Sequence, residues 1–319
     1  MATITSSAIV NQWGEYFIDN GQNESDIKDV LRETFQSVNA FTVVQSDDTV
    51  LRSSNAEYGE VLQAFQKDFT PKGSVTFTPK EIPLFNVKVD LDFTPDDLKN
   101  QWLQFMIDTN TDRTTWPIVR WIRDVFLMKQ IQTDLEKNFY GAVRAVPTSG
   151  VASAASAAFN GVKKVINAGI TAGTITPIAT GAPSATKTTW CTQIESFCEA
   201  VPELYQTVPM DINTSRSLAR RYRQGRRDKY NTNYEQVTDK KIVEDFEDFK
   251  VEGYASMTGK TKIWATPKSN AILAYMGMGN QKTVEVEKID RKVKMYTDFW
   301  VGIGFIQDAL VFTNDQELS

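Results

Sequence analysis

The chain has 319 residues, 41% of them apolar and 11% aromatic, enough for one large or two medium domains around real cores. A net charge of −5 argues against a generally basic nucleic-acid binder, and no apolar run reaches the ~18 residues of a membrane span. The complete lack of histidine excludes Ser–His and Cys–His catalysis and histidine-ligated metals, leaving carboxylate, lysine or tyrosine chemistry.

The opening residues, Met1 to Thr5, have neither the basic nor the apolar region of a signal peptide, so an intracellular origin is expected. Residues 1–22 are polar and mixed and read as an arm. Glu24 to Val38 has helical spacing through Ile27, Val30, Leu31 and Phe35, with Asn23 or Ser25 as N-cap. From Phe41 to Phe93 the pattern is extended, and Leu84 to Leu91 alternates most strongly, with Lys72-Gly73 as a turn between strands. Thr94-Pro95-Asp96-Asp97 opens a helix: Thr94 caps, Pro95 suits the first turn and the aspartates favour the positive helix end, so they read as capping groups.

Pro117 to Gly141 is the longest predicted helix, with Trp121, Ile122, Val125, Phe126, Leu135 and Phe139 on one stripe and Trp121 and Phe126 expected in the core. Its ~36 Å suits a structural spine. Val146 to Lys187 is small and weakly patterned and reads as a loop-rich start to a second domain, with Val162, Val165 and Ile166 as core candidates. A helix over Thr189–Val201 carries both cysteines, Cys191 and Cys198, which at helical spacing sit ~10 Å apart, too far for a disulfide, and read as buried thiols. Thr207–Ile212 is strand-like, Asn213 or Thr214 caps a helix to about Gln224, and Phe249–Tyr254 is another strand. Ile263–Asn270 is β-like up to a proline turn, Ala271 to Met276 reads as helix, and Thr283–Ile289 is followed by a closing apolar block, Phe299–Phe312.

Three motifs fall short of the chemistry they suggest. Gly259-Lys260-Thr261 ends like a phosphate loop, but Tyr254 stands where the first glycine belongs and a strand follows, so it reads as a hairpin turn. Asp108-Thr109-Asn110-Thr111-Asp112 begins like a calcium loop, but Arg113 and Val119 occupy the glycine and glutamate positions. Gly302-Ile303-Gly304 lacks a third glycine and reads as close backbone packing.

The charge anomaly lies between Arg216 and Lys229, with Arg220, Arg221, Arg223, Arg226 and Arg227 between them and Tyr222 and Tyr230 interleaved. Three readings stand: a solvated or intramolecularly paired face, a subunit interface, or a nucleic-acid contact. Glu244, Asp245, Glu247 and Asp248 are the nearby acidic counterpart, and together with Arg216, Arg220, Arg223, Arg226 and Arg227 they form the candidate interface.

Taken in order, these segments resemble the major capsid proteins of tailed phages, the Hong Kong 97-like fold. The resemblance covers nearly the whole chain, from the Val87–Leu98 strand-to-helix passage, through the Pro117–Gly141 helix with Leu135-Glu136-Lys137, to the closing strands. It implies an α+β fold: an N-terminal arm and helix (1–40), an extended β-hairpin loop and strands (41–93), a peripheral domain with its spine helix (94–145), an axial domain (146–279) and strands returning to the peripheral domain (280–319). It further implies no enzyme activity, no catalytic, metal or cofactor site, and copies joined as pentamers and hexamers in a virion shell around double-stranded DNA held with little specific contact. Synthesis would be in the host cytoplasm, with portal and separate scaffold or decoration proteins as partners and no membrane. The alternatives are an encapsulin-like protein-storing shell of the same fold and, from a different class, a carboxylate-dependent hydrolase.

Overall fold

The computed structural model describes residues 36–94, 101–104, 107, 122, 127–230, 241–276, 285–289 and 292–318. Residues 24–35 of the helix read over Glu24–Val38, the Pro95–Asp97 helix start, the Asp108–Asp112 motif, and Trp121 and Phe126 lie outside them.

In chain order a 3-10 turn (Gln36–Ala40) leads into β1 (Thr42–Ser46), β2 (Val50–Tyr58), β3 (Val75–Pro83) and β4 (Phe85–Phe93). The helices α1 (Met128–Asn138), α2 (Val162–Thr171), α3 (Lys187–Glu199) and the short α4 (Glu203–Gln206) follow. Next come β5 (Met210–Ser215), α5 (Arg216–Tyr230), β6 (Ile242–Val243), β7 (Phe246–Tyr254) and β8 (Trp264–Thr266). The chain closes with β9 (Ala271–Met276), β10 (Glu285–Ile289), β11 (Lys292–Phe305) and β12 (Phe312–Thr313).

Strand β11 organises the first sheet. Its 14 residues pair antiparallel with β10 and with β4 along one half, and with β9 along the other, while β1 lies parallel to β9. The period-two pattern of β4 turns Phe85, Val87 and Val89 onto the core and Asn86, Lys88 and Asp90 outward. The same core takes Leu135 and Phe139 at the end of α1, and Phe41 sits at its centre, with ring centroids 5.2 Å from Phe139 and 5.6 Å from Trp264. Glu136 ties α1 to two other segments, accepting from Ser37 N–H and Oγ–H and from the Ser256 N–H at 2.9–3.3 Å.

The second sheet runs β12-β8-β5-β7-β6, with β5 and β7 parallel and α5 between them in sequence. Helices α3 and α5 cover one face, burying Trp190, Ile194, Phe197, Leu218 and Tyr222 on Ile212, Phe249 and Val251. Trp264 and Ala265, adjacent in β8, point to opposite cores, as a pleated strand requires. The two sheets cross the boundaries read from the sequence twice: residues 271–276 belong to the first sheet and 312–313 to the second.

Several local readings need correction. Ala271–Met276 is a strand, not a helix. Ala271 to Tyr275 are all buried between β1 and β11, and a short run apolar on both faces carries no period to separate the two forms. The cap of α5 is Ser215, whose Oγ accepts the Leu218 N–H at 3.3 Å, because Asn213 and Thr214 remain in β5. The helix also runs six residues past Gln224 to Tyr230. Gly225 does not break it: a Cβ there would stand 2.0 Å from the Lys187 carbonyl oxygen, so glycine is the residue that lets α5 approach α3. The Gly259 turn joins β7 to β8 across β5 and closes no hairpin. The described part of the long helix ends at Asn138, and Phe139 to Gly141 form a turn. Residues 162–171, read only as core donors, form α2.

The packing read for Gly302 and Gly304 holds. A Cβ on Gly302 would meet the Pro83 carbonyl oxygen at 2.6 Å and Leu84 Cα at 3.2 Å, backbone atoms that have nowhere to go. Gly302→Ala is therefore expected to lower unfolding stability by about 1–3 kcal/mol, measured by denaturant titration. An unchanged midpoint would mean that β11 and the base of the hairpin are less closely apposed.

Candidate assembly interface

Strands β2 and β3 form a two-stranded ribbon of nine register pairs, Val50↔Pro83 to Tyr58↔Val75, outside both sheets. Pro79 and Pro83 are tolerated in β3 because both strands of such a ribbon are edges. At its base Ile82 and Leu84 are buried on Ile272 and Ala274. Its distal end is the reverse. Leu62 is 83% exposed, Phe65 95% and Phe69 94%. Local bonds still shape it: Lys72 Nζ donates to the Leu62 carbonyl at 2.7 Å and pairs with Glu60 at 2.9 Å. Large apolar side chains left this exposed along one segment mark a contact surface.

The arginine cluster divides into two sets on α5. Arg226 turns inward and pairs with Glu244 at 2.6 Å, Arg221 donates to the Ser184 carbonyl at 2.7 Å, and Lys229 pairs with Glu195. Arg216, Arg220, Arg223 and Arg227 stand at i, i+4, i+7 and i+11 and share one stripe, ~16 Å long, opposite the buried Leu218, Tyr222 and Gly225, with Arg223 half-buried and the other three exposed. Arg216 reaches Gln36, and Arg227 contacts the adjacent Asp228. The tyrosines play no part in the stripe: Tyr222 is buried, and the Tyr230 hydroxyl donates to Glu195 at 2.6 Å. Among the described residues, therefore, no aromatic platform for bases accompanies these arginines.

Of the acidic set, Glu244 is engaged by Arg226, while Asp245 and Glu247 are exposed and Asp248 is half-buried at the β6–β7 turn. The turn is sharp, with Asp245 at φ 65°.

Both cysteines are buried free thiols. Burial pushes the Cys191 thiol up to about 12, and its hydrogen bond to Glu195 adds to the shift; burial also raises Cys198. Neither is a nucleophile at neutral pH. Among the described residues no group of three or more Cys, Asp or Glu side chains is placed to hold a metal ion, and no helix is long and apolar enough to cross a membrane. A cleft of about 490 Å³ between α1, β4 and the 144–159 loop is lined by Val87, Ile131, Arg144 and Phe159, with Asp134 and Asp298 among its polar groups.

Sequence reading missed a polar cluster around residues 313–318. Lys262 is fully buried, its ammonium donating to the Gln316 carbonyl at 2.9 Å, and burial pushes it down to about 8. Glu317 accepts from the Thr261 N–H at 2.6 Å and from the Tyr140 hydroxyl at 3.3 Å. No sequence signal marks either residue, because their partners lie 54 or more positions away.

No family model matches the sequence, and no curated protein is significantly similar to it. Solved structures are similar in fold. A chain of the satellite phage P4 procapsid including the size determination (Sid) protein is 11% identical, with a TM-score of 0.60 over 95% of both chains. The capsid of the Myoviridae phage XM1 is 12% identical, at TM-score 0.53 over 88% of this chain and 90% of that one. The capsid of an empty GTA particle, computed with C5 symmetry, is 14% identical, at 0.50 over 98% and 99%. The chain thus has the mixed α and β fold of phage capsid proteins along nearly its full length.

Proposed function

We propose that this chain is the major capsid protein of a tailed phage and that many copies close an icosahedral shell around double-stranded DNA. The observation that carries this reading is the β2–β3 ribbon on a capsid fold. Its base is packed into the subunit, and its end presents Leu62, Phe65 and Phe69 with no core of their own. A second copy supplies the missing cover, and repeated contacts between unlike surfaces generate closed assemblies. On this reading the protein works by binding; its buried thiols and the lack of histidine in the chain support it by removing thiol and imidazole chemistry. A net charge of −5 suits a container that encloses DNA without gripping it. Pentamers and hexamers of the chain, a portal, and scaffold or decoration proteins complete the proposed virion.

Negative-stain microscopy of the purified protein tests the reading. Closed particles of megadalton mass are expected, and particles from infected cells should protect double-stranded DNA from nuclease. Particles filled with protein and free of DNA would instead identify a storage shell, and a small soluble species would exclude both.

A further inference from the structure

We propose that the outward arginine stripe of α5 docks on the β6–β7 turn of a second copy, with Arg220 and Arg223 facing Asp245 and Glu247; this rests on the shell-forming reading above. The argument starts from what the subunit leaves unmatched. Within the cluster, the basic groups beside the stripe have partners in their own chain: Arg226 takes Glu244, and Lys229 takes Glu195. Arg220 and Arg223 form no ion pair among the described residues, and neither do Asp245 and Glu247. Two complementary sets therefore remain on one domain, one on a helix face and one at the edge of a sheet.

They do not pair with each other within a subunit. The stripe lies opposite the helix face that buries Leu218, Tyr222 and Gly225, while the turn joins β7 to the sheet's edge strand β6 and is held beside Arg226, elsewhere around the same helix. A contact between such unlike patches is head-to-tail, and repetition with a constant rotation gives a ring. Without the acids of a neighbour, Arg220 and Arg223, three positions apart on one helix face, would be carried into each contact as like charges. A nucleic-acid occupant is less well matched. Tyr222 is buried and Tyr230 is tied to Glu195, so among the described residues the stripe offers phosphate contacts without base stacking, on a chain of net charge −5.

The test is a charge exchange, read by sedimentation and microscopy, with a thermal melt of each variant as the folding control. Arg220→Glu/Arg223→Glu and Asp245→Lys/Glu247→Lys are each expected to reduce the assembled fraction by about tenfold, since weak pairs repeat at every contact. All four changes in one chain should restore assembly, and added salt should weaken the wild type. Wild-type particles without rescue in the fourfold variant overturn the pairing alone. A stripe variant that assembles normally but holds less DNA assigns the stripe to phosphates and also overturns it. The lack of any wild-type particle removes the shell reading and the pairing together.

Discussion

Replacing Ser54–Pro79 by a two-residue Asn-Gly turn is expected to yield a folded subunit that forms no particles. The cut leaves the paired Ser53 and Lys80 at the ends of a shortened hairpin, where a type I′ turn matches the strand twist. The Lys80–Asp308 ion pair at 2.7 Å and the buried Ile82 and Leu84 are retained, so the base keeps its anchorage. What is lost is the exposed end, with Phe65 and Phe69. Burying each phenylalanine against a neighbour contributes about 1.5–3 kcal/mol, and the contact recurs at every subunit. The double variant Phe65→Asp/Phe69→Asp should show the same defect with the full-length ribbon. The measurements are a melting curve near that of the wild type and a sedimentation profile lacking the fast species. Wild-type-sized particles from the shortened chain would show that the ribbon's end is dispensable.

The fold was legible where local pattern and tertiary packing agree. The alternation of Leu84 to Leu91 marks β4 because one of its faces meets a core and the other meets solvent. The extended pattern from Phe41 to Phe93 emerged as β1, the β2–β3 ribbon and β4, and Gly302 and Gly304 as points of close packing, on the Pro83–Leu84 backbone and the Ile82 side chain respectively. The reading failed where tertiary burial erased the pattern. Ala271 to Met276 is covered on both faces, and its alanine, leucine and methionine favour helix when the neighbouring strands are unknown. The sequence ends α5 at about Gln224, six residues short, and the packing of Gly225 against the Lys187 carbonyl of another helix has no local signature. The arginine cluster was visible as composition, but its division was not. Only the placement of Glu244 and Glu195 separates Arg226 and Lys229 from the four outward arginines. The cluster around Glu317 joins residues 140, 167, 261 and 317, a juxtaposition that no window along the sequence contains.

That cluster supplies the second large expected effect. The segment Thr313–Leu318 is fastened to three parts of the chain. The Thr313 carbonyl accepts from the Ile178 N–H at 2.7 Å, and Asn314 bridges Ile263 and Thr261 through its side-chain amide. Glu317 then closes the segment down: its carboxylate accepts from the Thr261 N–H and hydroxyl and from the Tyr140 hydroxyl, while its carbonyl accepts from Asn167. It holds φ 51°, a conformation this residue type rarely adopts unless its contacts fix it. Burial pushes the carboxyl up, but the two bonds from Thr261 and the charges of Lys260 and Lys163 outweigh it and hold the group below the usual carboxylate range. A folded-state value below the unfolded one means stabilisation that is full above the unfolded pKa and lost as pH falls through the folded one. Lys262 behaves oppositely to an amine that gains a partner. Its value of about 8 lies below the ordinary lysine value, so stability from this group rises with pH between about 8 and 10. Glu317→Gln keeps the shape and removes the charge. It is expected to lose about 1–3 kcal/mol at neutral pH, a loss that shrinks as pH falls through the depressed folded-state value and the native carboxyl takes up its proton. Urea unfolding across an acid-to-neutral pH series measures the difference. An equal loss at every pH would show that the fastening depends on the shape of Glu317 and not on its charge.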